Sequence, residues 1–197
     1  MAAHSELDLA MTRYAHGQDD AFAVIWSELG PRLSRFLRRI TNSHDVADDL
    51  LQETFLRIHR ARGSFVPGSP ALAWAYAIAR NCHIDHVRTA HVRNKSQQVD
   101  GRGGEDIIDD IQDKAGEGDG EQKVLVKEVA QIVDRELRAM TLARREAFVL
   151  LRYEGLSVAE AARVLGTTEG AVKVRVHHAH HALHKALARA HGEHGEP

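Results

Sequence analysis

The sequence has one cysteine, few aromatic residues and no long apolar run. Cys82 alone excludes an internal disulfide and a cysteine-based zinc cluster, which fits a reducing compartment and a buried thiol. No stretch of about 18 apolar residues is present to span a membrane. The N-terminus lacks the basic start and apolar stretch of a secretion signal. We therefore expect a cytoplasmic protein that does not insert directly into a membrane.

Charge is distributed unevenly along the chain. Residues 1–95 hold 12 Lys and Arg against 10 Asp and Glu, residues 96–122 hold 2 against 9, and residues 124–190 hold 11 against 7. The middle segment also contains six glycines and few apolar residues. It cannot bury enough surface to offset the entropy of ordering. We predict two small domains, 5–95 and 124–190, joined by a flexible acidic linker over residues 96–123.

Both domains are predicted to be helical, because apolar residues recur at spacings of three and four. In the first domain we expect two short helices on either side of Gly30-Pro31, because proline favours a helix start. A third helix is expected from about Ser43, and a fourth after the break from Gly63 to Pro70. The helices expected in the second domain cover about residues 124–139, 142–153, 157–165 and 168–189. No strand pattern is convincing, so the predicted fold class is all-α.

The most informative local motif is GLSVAEAARVLGTTEGAVKVRVHHAHHAL, near the C-terminus. Ser157 and Glu160 have the spacing of a capping box. Gly166 permits a tight turn, and Thr168 can cap the helix that follows. A generic helical hairpin shares parts of this pattern. Caps, turn glycine and a basic second helix occur together here, which favours a helix-turn-helix that binds the DNA major groove.

The second helix of this motif carries five histidines within RVHHAHHALHKAL. The pairs His177/His181 and His180/His184 have the spacing of metal ligands on one helix face. A zinc site needs three or four ligands, however, and no HExxH or CxxC motif lies nearby. No catalytic triad, phosphate loop or dinucleotide fingerprint is present. We therefore expect no metal site, no cofactor, no small-molecule substrate and no enzymatic activity.

Four segments resemble one known family. AFAVIWSELGPRLSRFLRRI, DVADDLLQETFLRIHRAR and ALAWAYAIARNCHIDHVR resemble, in order, the N-terminal segments of bacterial RNA polymerase sigma factors of the extracytoplasmic-function (ECF) type, in the sigma-70 family. LARREAFVLLRYEGLSVAEAARVLGTTEGAVKVRVHHAHHAL resembles the promoter-reading domain of the same family. The resemblance covers nearly everything except the linker and tails, and it makes 5–95 a region 2-like domain and 124–190 a region 4-like domain.

The resemblance implies a transcription initiation factor that directs core RNA polymerase to promoter DNA. The expected partners are the β′ clamp and β flap regions of core polymerase, promoter DNA and an anti-sigma factor. The acidic linker would pass through the polymerase, or serve only as a tether. The alternative is a helix-turn-helix regulator or adaptor that acts without core polymerase.

The resemblance also implies three sets of contact residues. Contacts to core polymerase are expected at Asp48, Asp49, Gln52 and Glu53. Contacts to the melted minus-10 element, including a flipped-base pocket at the loop from Gly63 to Pro70, are expected at Ser64, Phe65, Tyr76, Arg80, Asn81, Asp85 and Arg88. For Tyr76, base stacking and core packing are equally favoured. Contacts to the minus-35 duplex are expected at Thr168, Glu169, Gly170, Lys173, Arg175, His177 and His178.

Histidines replace permanent cations on the promoter-reading helix. His177 stands where the family has histidine, whereas His178, His180 and His181 stand where it usually has arginine or lysine. An ordinary imidazole, with a pKa of about 6.5, is mostly neutral at pH 7. We therefore expect weak electrostatic DNA binding that strengthens as the pH falls.

Overall fold

The computed structural model describes residues 5–41, 43–96 and 120–193. Its α-helices are α1 (Glu6–Ala15), α2 (Phe22–Thr41), α3 (His44–Ala61), α4 (Ala71–Ser96), α5 (Gly120–Ala139), α6 (Leu142–Arg152), α7 (Val158–Leu165) and α8 (Glu169–Glu193). The described residues contain no strand, which confirms the all-α prediction. None of these helices is both long and apolar enough to cross a membrane.

The chain divides into two compact units. The first holds α1 to α4, and the second holds α5, α6, α8 and most of α7. Most of the predicted linker lies outside the described residues, but its two ends are helical: α4 extends to Ser96, and α5 begins at Gly120.

Helix α1 is an element that the periodicity did not predict. The Ser5 hydroxyl accepts a hydrogen bond from the Asp8 N–H at 3.2 Å, and the Asp8 carboxylate accepts one from the Ser5 N–H at 3.2 Å. This capping box satisfies backbone donors at the helix start. The other Asp8 oxygen accepts a hydrogen bond from the Ala71 N–H at 2.8 Å, where α4 begins. One carboxylate therefore joins the first turns of two helices.

A second contact joins α1 to the end of α3. The Tyr14 hydroxyl and His59 Nδ1 share a hydrogen bond of 2.6 Å, and the Arg62 guanidinium lies 5.0 Å from the centre of the Tyr14 ring. Arg62 also donates to Asp19 at 2.7 Å. Hydrogen bonding to Tyr14 is the first cause that raises the pKa of Arg62. These contacts hold α1 against the rest of the first unit.

Helix α2 corrects the prediction of two short helices. It runs without a break from Phe22 to Thr41, with Pro31 inside it. Leu29 and Leu33 are fully buried on either side of the proline. Burial of apolar side chains along the whole helix offsets the cost of one lost backbone hydrogen bond, which is roughly 3 kcal/mol or more for an interior proline.

Helices α3 and α4 complete the core of the first unit. The Ser43 hydroxyl accepts a hydrogen bond from the Val46 N–H at 3.4 Å, so α3 begins where the sequence predicted. Ala71, Ala75 and Ala79 are fully buried on α4, and such small side chains let helices approach closely. Cys82 is buried as expected, and this burial raises the pKa of its thiol.

The second unit is held together at the turn between α5 and α6 by a buried cation. Arg145 donates hydrogen bonds to the carbonyl oxygens of Arg138 at 2.7 Å and Met140 at 3.2 Å, at the end of α5. A guanidinium is well suited to the unpaired carbonyls of a helix C-terminus. Burial lowers the pKa of Arg145. Val149 and Leu150 on α6 are fully buried and form the centre of this unit's core.

Candidate nucleic-acid and polymerase interfaces

Helices α7 and α8 form the predicted helix-turn-helix with its predicted caps. The Ser157 hydroxyl accepts a hydrogen bond from the Glu160 N–H at 3.2 Å, and the Glu160 carboxylate accepts one from the Ser157 N–H at 2.9 Å. Gly166 adopts the left-handed conformation with φ +60°, which glycine tolerates best. The Thr168 hydroxyl then accepts a hydrogen bond from the Ala171 N–H at 3.2 Å. Both helix starts and the turn between them are therefore specified locally.

A narrow apolar stripe orients α8. Val172 and Ala179 are fully buried, and Val176 and Leu183 are nearly so. Their successive spacings of four, three and four residues follow one face of a helix. The opposite face of α8 is therefore directed away from the core of the unit.

Six of the seven predicted minus-35 residues are exposed on or beside the start of α8: Thr168, Glu169, Gly170, Lys173, His177 and His178. Arg175 differs from them because it is half-buried. It precedes Val176 and follows Val172 by three positions, so it lies at the flank of the buried stripe. Arg175 therefore lies at the edge of the outward face of α8.

Val174 is an outward residue that the sequence analysis missed. Its side chain is 56% exposed, between Lys173 and the half-buried Arg175. The signal that could have identified it is an apolar residue out of phase with the stripe of Val172 and Val176.

The histidines of α8 also lie at the surface. His177, His178, His180, His181 and His184 are all exposed. Among the residues that the structure describes, no three His, Cys, Asp or Glu side chains are grouped as metal ligands.

The predicted polymerase-binding residues on α3 separate into two kinds. Asp49 and Gln52 are exposed, whereas Glu53 is half-buried and accepts a hydrogen bond from Arg57 at 2.8 Å. Arg57 also donates to Asp85 on α4 at 2.7 Å. The hydrogen bonds to Glu53 and then Asp85 raise the pKa of Arg57. Glu53 is therefore engaged in the contact between α3 and α4.

Asp48 and Leu56 lie at the margins of this exposed face of α3. Asp48 lies 3.6 Å from Arg38 of α2, although more than half of its side chain remains exposed. Leu56 is 50% exposed and follows Gln52 by one helical turn. Sequence reasoning gave Leu56 no role. Because Leu56 continues the line of Asp49 and Gln52, the face combines acidic, amide and apolar groups.

Two aromatic residues predicted to contact the minus-10 strand are core residues. Tyr76 is 0% exposed and packs edge-on against Phe36, with ring centres 5.0 Å apart. Phe65 is also buried and packs edge-on against Trp74 at 5.4 Å. Each ring packs against a partner inside the unit: Tyr76 takes the core-packing alternative that the sequence left open, and Phe65 is buried. Ser64 is exposed, and its hydroxyl donates to the Ala61 carbonyl oxygen at 2.7 Å.

The polar residues predicted on α4 remain accessible. Asn81, Asp85 and Arg88 are exposed, and Arg80 is half-buried. An open cavity of about 350 Å³ lies between α3 and α4, lined by Arg57, Arg60, Ala61, Ile78 and Asn81. The predicted pocket in the Gly63 to Pro70 loop would have Phe65 in its wall, but that ring is buried. The cavity instead involves the exposed amide of Asn81.

These two outward faces, one on a helix-turn-helix and one on an acidic helix, define a helical DNA-binding protein with a second interaction surface. Residues 25–92 match the family Sigma-70 region 2, and residues 130–189 match Sigma-70, region 4. The ECF RNA polymerase sigma factor SigF of Caulobacter vibrioides is 32% identical over 189 residues, which cover 95% of this chain and 97% of SigF. The RNA polymerase sigma factor CarQ of Myxococcus xanthus is 30% identical, over 90% of this chain and 95% of CarQ.

Solved structures share the fold of this chain. The sigma factor RpoE, in complex with the anti-sigma factor NepR from Bartonella quintana, is 25% identical with a TM-score of 0.71, over 86% of this chain and 98% of RpoE. CnrH, in complex with the cytosolic domain of CnrY, shares the fold with a TM-score of 0.67 at 24% identity, over 94% of this chain and 99% of CnrH. The chain belongs to the sigma-70 family and is a sigma factor of the ECF type. It is a transcription initiation factor that directs RNA polymerase to promoters, and the alternative of a regulator acting without polymerase is not favoured.

Proposed function

We propose that the two units divide promoter recognition between them. The unit of α1 to α4, predicted as domain 5–95, binds core polymerase and the melted minus-10 strand. The unit of α5 to α8, predicted as domain 124–190, binds the minus-35 duplex. The observation that carries this assignment is the capped helix-turn-helix, whose buried stripe directs the cationic and polar side of α8 outward. The protein acts in the cytoplasm and has no catalytic chemistry of its own.

Core polymerase binds the exposed face of α3. Asp49 and Gln52 are the contacts that this proposal favours, with Asp48 at the margin of the face and Leu56 as an apolar neighbour. Glu53 has a different role, because it accepts a hydrogen bond from Arg57, which also donates to Asp85 and so joins α3 to α4. A partner with a basic, amphipathic surface, as expected for the β′ clamp, would complement this face. The β flap would be met by the second unit.

The melted minus-10 strand binds along α4, and the cavity between α3 and α4 receives one unstacked base. Asn81 can hydrogen-bond a base edge there, and Arg60 lies at the same opening, where a guanidinium suits a phosphate. Arg80 and Arg88 extend the phosphate contacts along the helix. In this proposal Tyr76 and Phe65 support α4 from inside the unit and do not stack on DNA.

An anti-sigma factor is a further proposed partner. Two structural relatives are solved in complexes, one of them named as a complex with an anti-sigma factor. An inhibitor that covers the exposed face of α3 would compete with core polymerase for Asp49 and Gln52. Competition between the two proteins for one face would keep the factor inactive without unfolding it.

Run-off transcription with purified core polymerase and a promoter library tests the division of labour. The wild-type chain should start transcripts at defined sites. Lys173→Ala should weaken minus-35 dependence while core binding stays at the wild-type level, and Asn81→Ala should slow promoter opening. Lys127→Ala, which removes an exposed lysine of α5, is the matched control for Lys173. A Lys173→Ala chain that depends on the minus-35 element as strongly as the wild type would contradict the role of α8.

A further inference from the structure

We propose that Val174 determines promoter specificity by contacting the 5-methyl group of a thymine in the minus-35 major groove. Gly170 assists by letting the backbone of α8 approach the DNA closely. This inference rests on the proposed function of α8 and adds to it the residue and the base chemistry that it recognises.

The position of Val174 is the first argument. Val172 and Val176 are buried, and each is two positions away from Val174. Two positions correspond to about 200° around an α-helix, so Val174 is directed opposite to the buried stripe. Its 56% exposure agrees with this geometry. Val174 lies one turn after Gly170 and one turn before His178, in the middle of the outward face.

The cost of these residues to the helix is the second argument. Valine is β-branched and loses side-chain freedom in a helix, which makes it a poorer helix former than alanine. Packing does not require glycine at position 170, because a Cβ there would meet only Thr168 Oγ1 at 4.0 Å. Val174 thus disfavours the helix at a largely exposed position, and Gly170, in the first turn of α8, is not required by packing. A residue that disfavours its own helix and is not needed for packing is expected where a surface binds a ligand.

The chemistry of the groove is the third argument. In the major groove thymine presents a C5-methyl group, and apolar side chains recognise it by direct contact. The two methyl groups of Val174 offer no hydrogen bond, so they select an apolar group and not a base amino group or carbonyl oxygen. Gly170 has no side chain to hold the helix away from the bases. Lys173, next to Val174, remains available for phosphate.

Two steps test the inference: selection of minus-35 sequences, and then removal of the 5-methyl group from one selected thymine. Holoenzyme assembled from core polymerase and the full chain selects minus-35 sequences from a random library, with wild type and Val174→Ser compared. At a thymine that the wild type prefers and Val174→Ser does not, deoxyuridine then replaces thymidine. The wild type should lose about fourfold in affinity, the effect expected for one buried methyl group. Val174→Ser should bind both duplexes equally.

Val126→Ser is the matched control, because Val126 is also exposed, on α5. It should retain the wild-type preference for thymine over deoxyuridine. Equal wild-type affinity for the two duplexes at every minus-35 thymine would overturn the inference, and so would methyl discrimination that survives in Val174→Ser. If wild type shows minus-35 sequence preference without methyl dependence, the role of α8 stands and only Val174 loses its assignment. Absence of any minus-35 preference would overturn both.

Discussion

Helices α3 and α8 bury apolar side chains in the same way, but their exposed faces carry different chemical groups. Each buries apolar side chains at helical spacing, Leu50 and Ile58 on α3, Val172 and Ala179 on α8. On α3 the exposed face carries Asp49, Gln52 and Leu56, whereas on α8 it carries Lys173, Val174 and five histidines. The buried stripe decides which way a helix faces, and the exposed residues decide what it meets.

The two helices also differ in what supports them. The exposed face of α3 is bordered by ion pairs, from Arg38 to Asp48 and from Arg57 to Glu53 and Asp85. Helix α8 depends on a capping hydroxyl, a turn glycine and apolar packing. Charge changes on the exposed face of α3 should therefore alter its binding to a partner more than its folding. Substitutions in the buried stripe of α8 should instead destabilise the second unit.

The largest expected effect comes from placing a carboxylate on the buried face of α8, compared with the same change on its outward face. Val172→Asp puts an unpaired carboxylate in a fully buried position, at a cost of several kcal/mol. We expect loss of helical signal from the second unit in circular dichroism and loss of minus-35 binding. Val174→Asp should keep the wild-type helical signal and weaken DNA binding by loss of the proposed thymine contact and by repulsion of phosphate. Equal helical content in both variants would show that α8 is not oriented by its stripe.

Charge reversal on α3 should have the next largest effect. Asp49→Arg should weaken binding to core polymerase by about tenfold or more, because it introduces repulsion toward a basic partner. The thermal stability of the chain should change little, since the Asp49 side chain is exposed. Titration with labelled core polymerase measures the affinity. Glu128→Arg, the same change at an exposed position on α5, should bind normally; if it weakens binding equally, net charge and not the α3 face is responsible.

A smaller effect is expected from adding one permanent cation to the face of α8. His178→Arg places a guanidinium, which is always charged, at an exposed position. Holoenzyme that carries this change should bind a promoter with an intact minus-35 element more tightly than the wild type does. A promoter with a scrambled minus-35 element controls for changes elsewhere in the complex. The hypothesis fails if the intact element gains no more than the scrambled one.

The smallest effect is expected from removing one cap. Ser157→Ala deletes the hydroxyl that accepts the Glu160 N–H, and should lower the free energy of unfolding of the second unit by about 1 kcal/mol. Urea denaturation followed by circular dichroism measures this change, while DNA binding at 25 °C should remain near the wild-type level. Ser27→Ala on α2 removes an exposed hydroxyl without a capping role and should change stability by less. Equal stability losses would argue against the cap.

Local signals predicted the second unit better than the first. Ser157, Gly166 and Thr168 act on neighbouring backbone groups, so their effect could be predicted from spacing alone. In the first unit, Pro31 indicated a helix boundary, but burial of Leu29 and Leu33 keeps α2 continuous. Local rules give the cost in stability of a proline inside a helix. The stability gained by burying the apolar side chains around it depends on helices that are far away in sequence.

The candidate contact residues show the same limit. In AWAYAIARN the spacing of Trp74 and Tyr76 is compatible with a core stripe. The sequence alone could not decide whether Tyr76 stacks on bases or packs in the core. Phe36, forty positions earlier, provides the partner that buries Tyr76. The same limit applies to α8, where Arg175 was predicted to contact DNA and Val174 was given no role. The buried stripe of α8 places Arg175 at its flank and Val174 on the outward face.

The sequence by itself determined the all-helical class, the positions of the main caps and turns, and the family to which the chain belongs. Each of these depends on residue types at short spacings. The tertiary structure decided the continuity of α2, the burial of Phe65 and Tyr76, the cavity between α3 and α4, and the outward position of Val174. Those features depend on which helix faces meet, and side chains far apart in sequence settle that by burying apolar surface together.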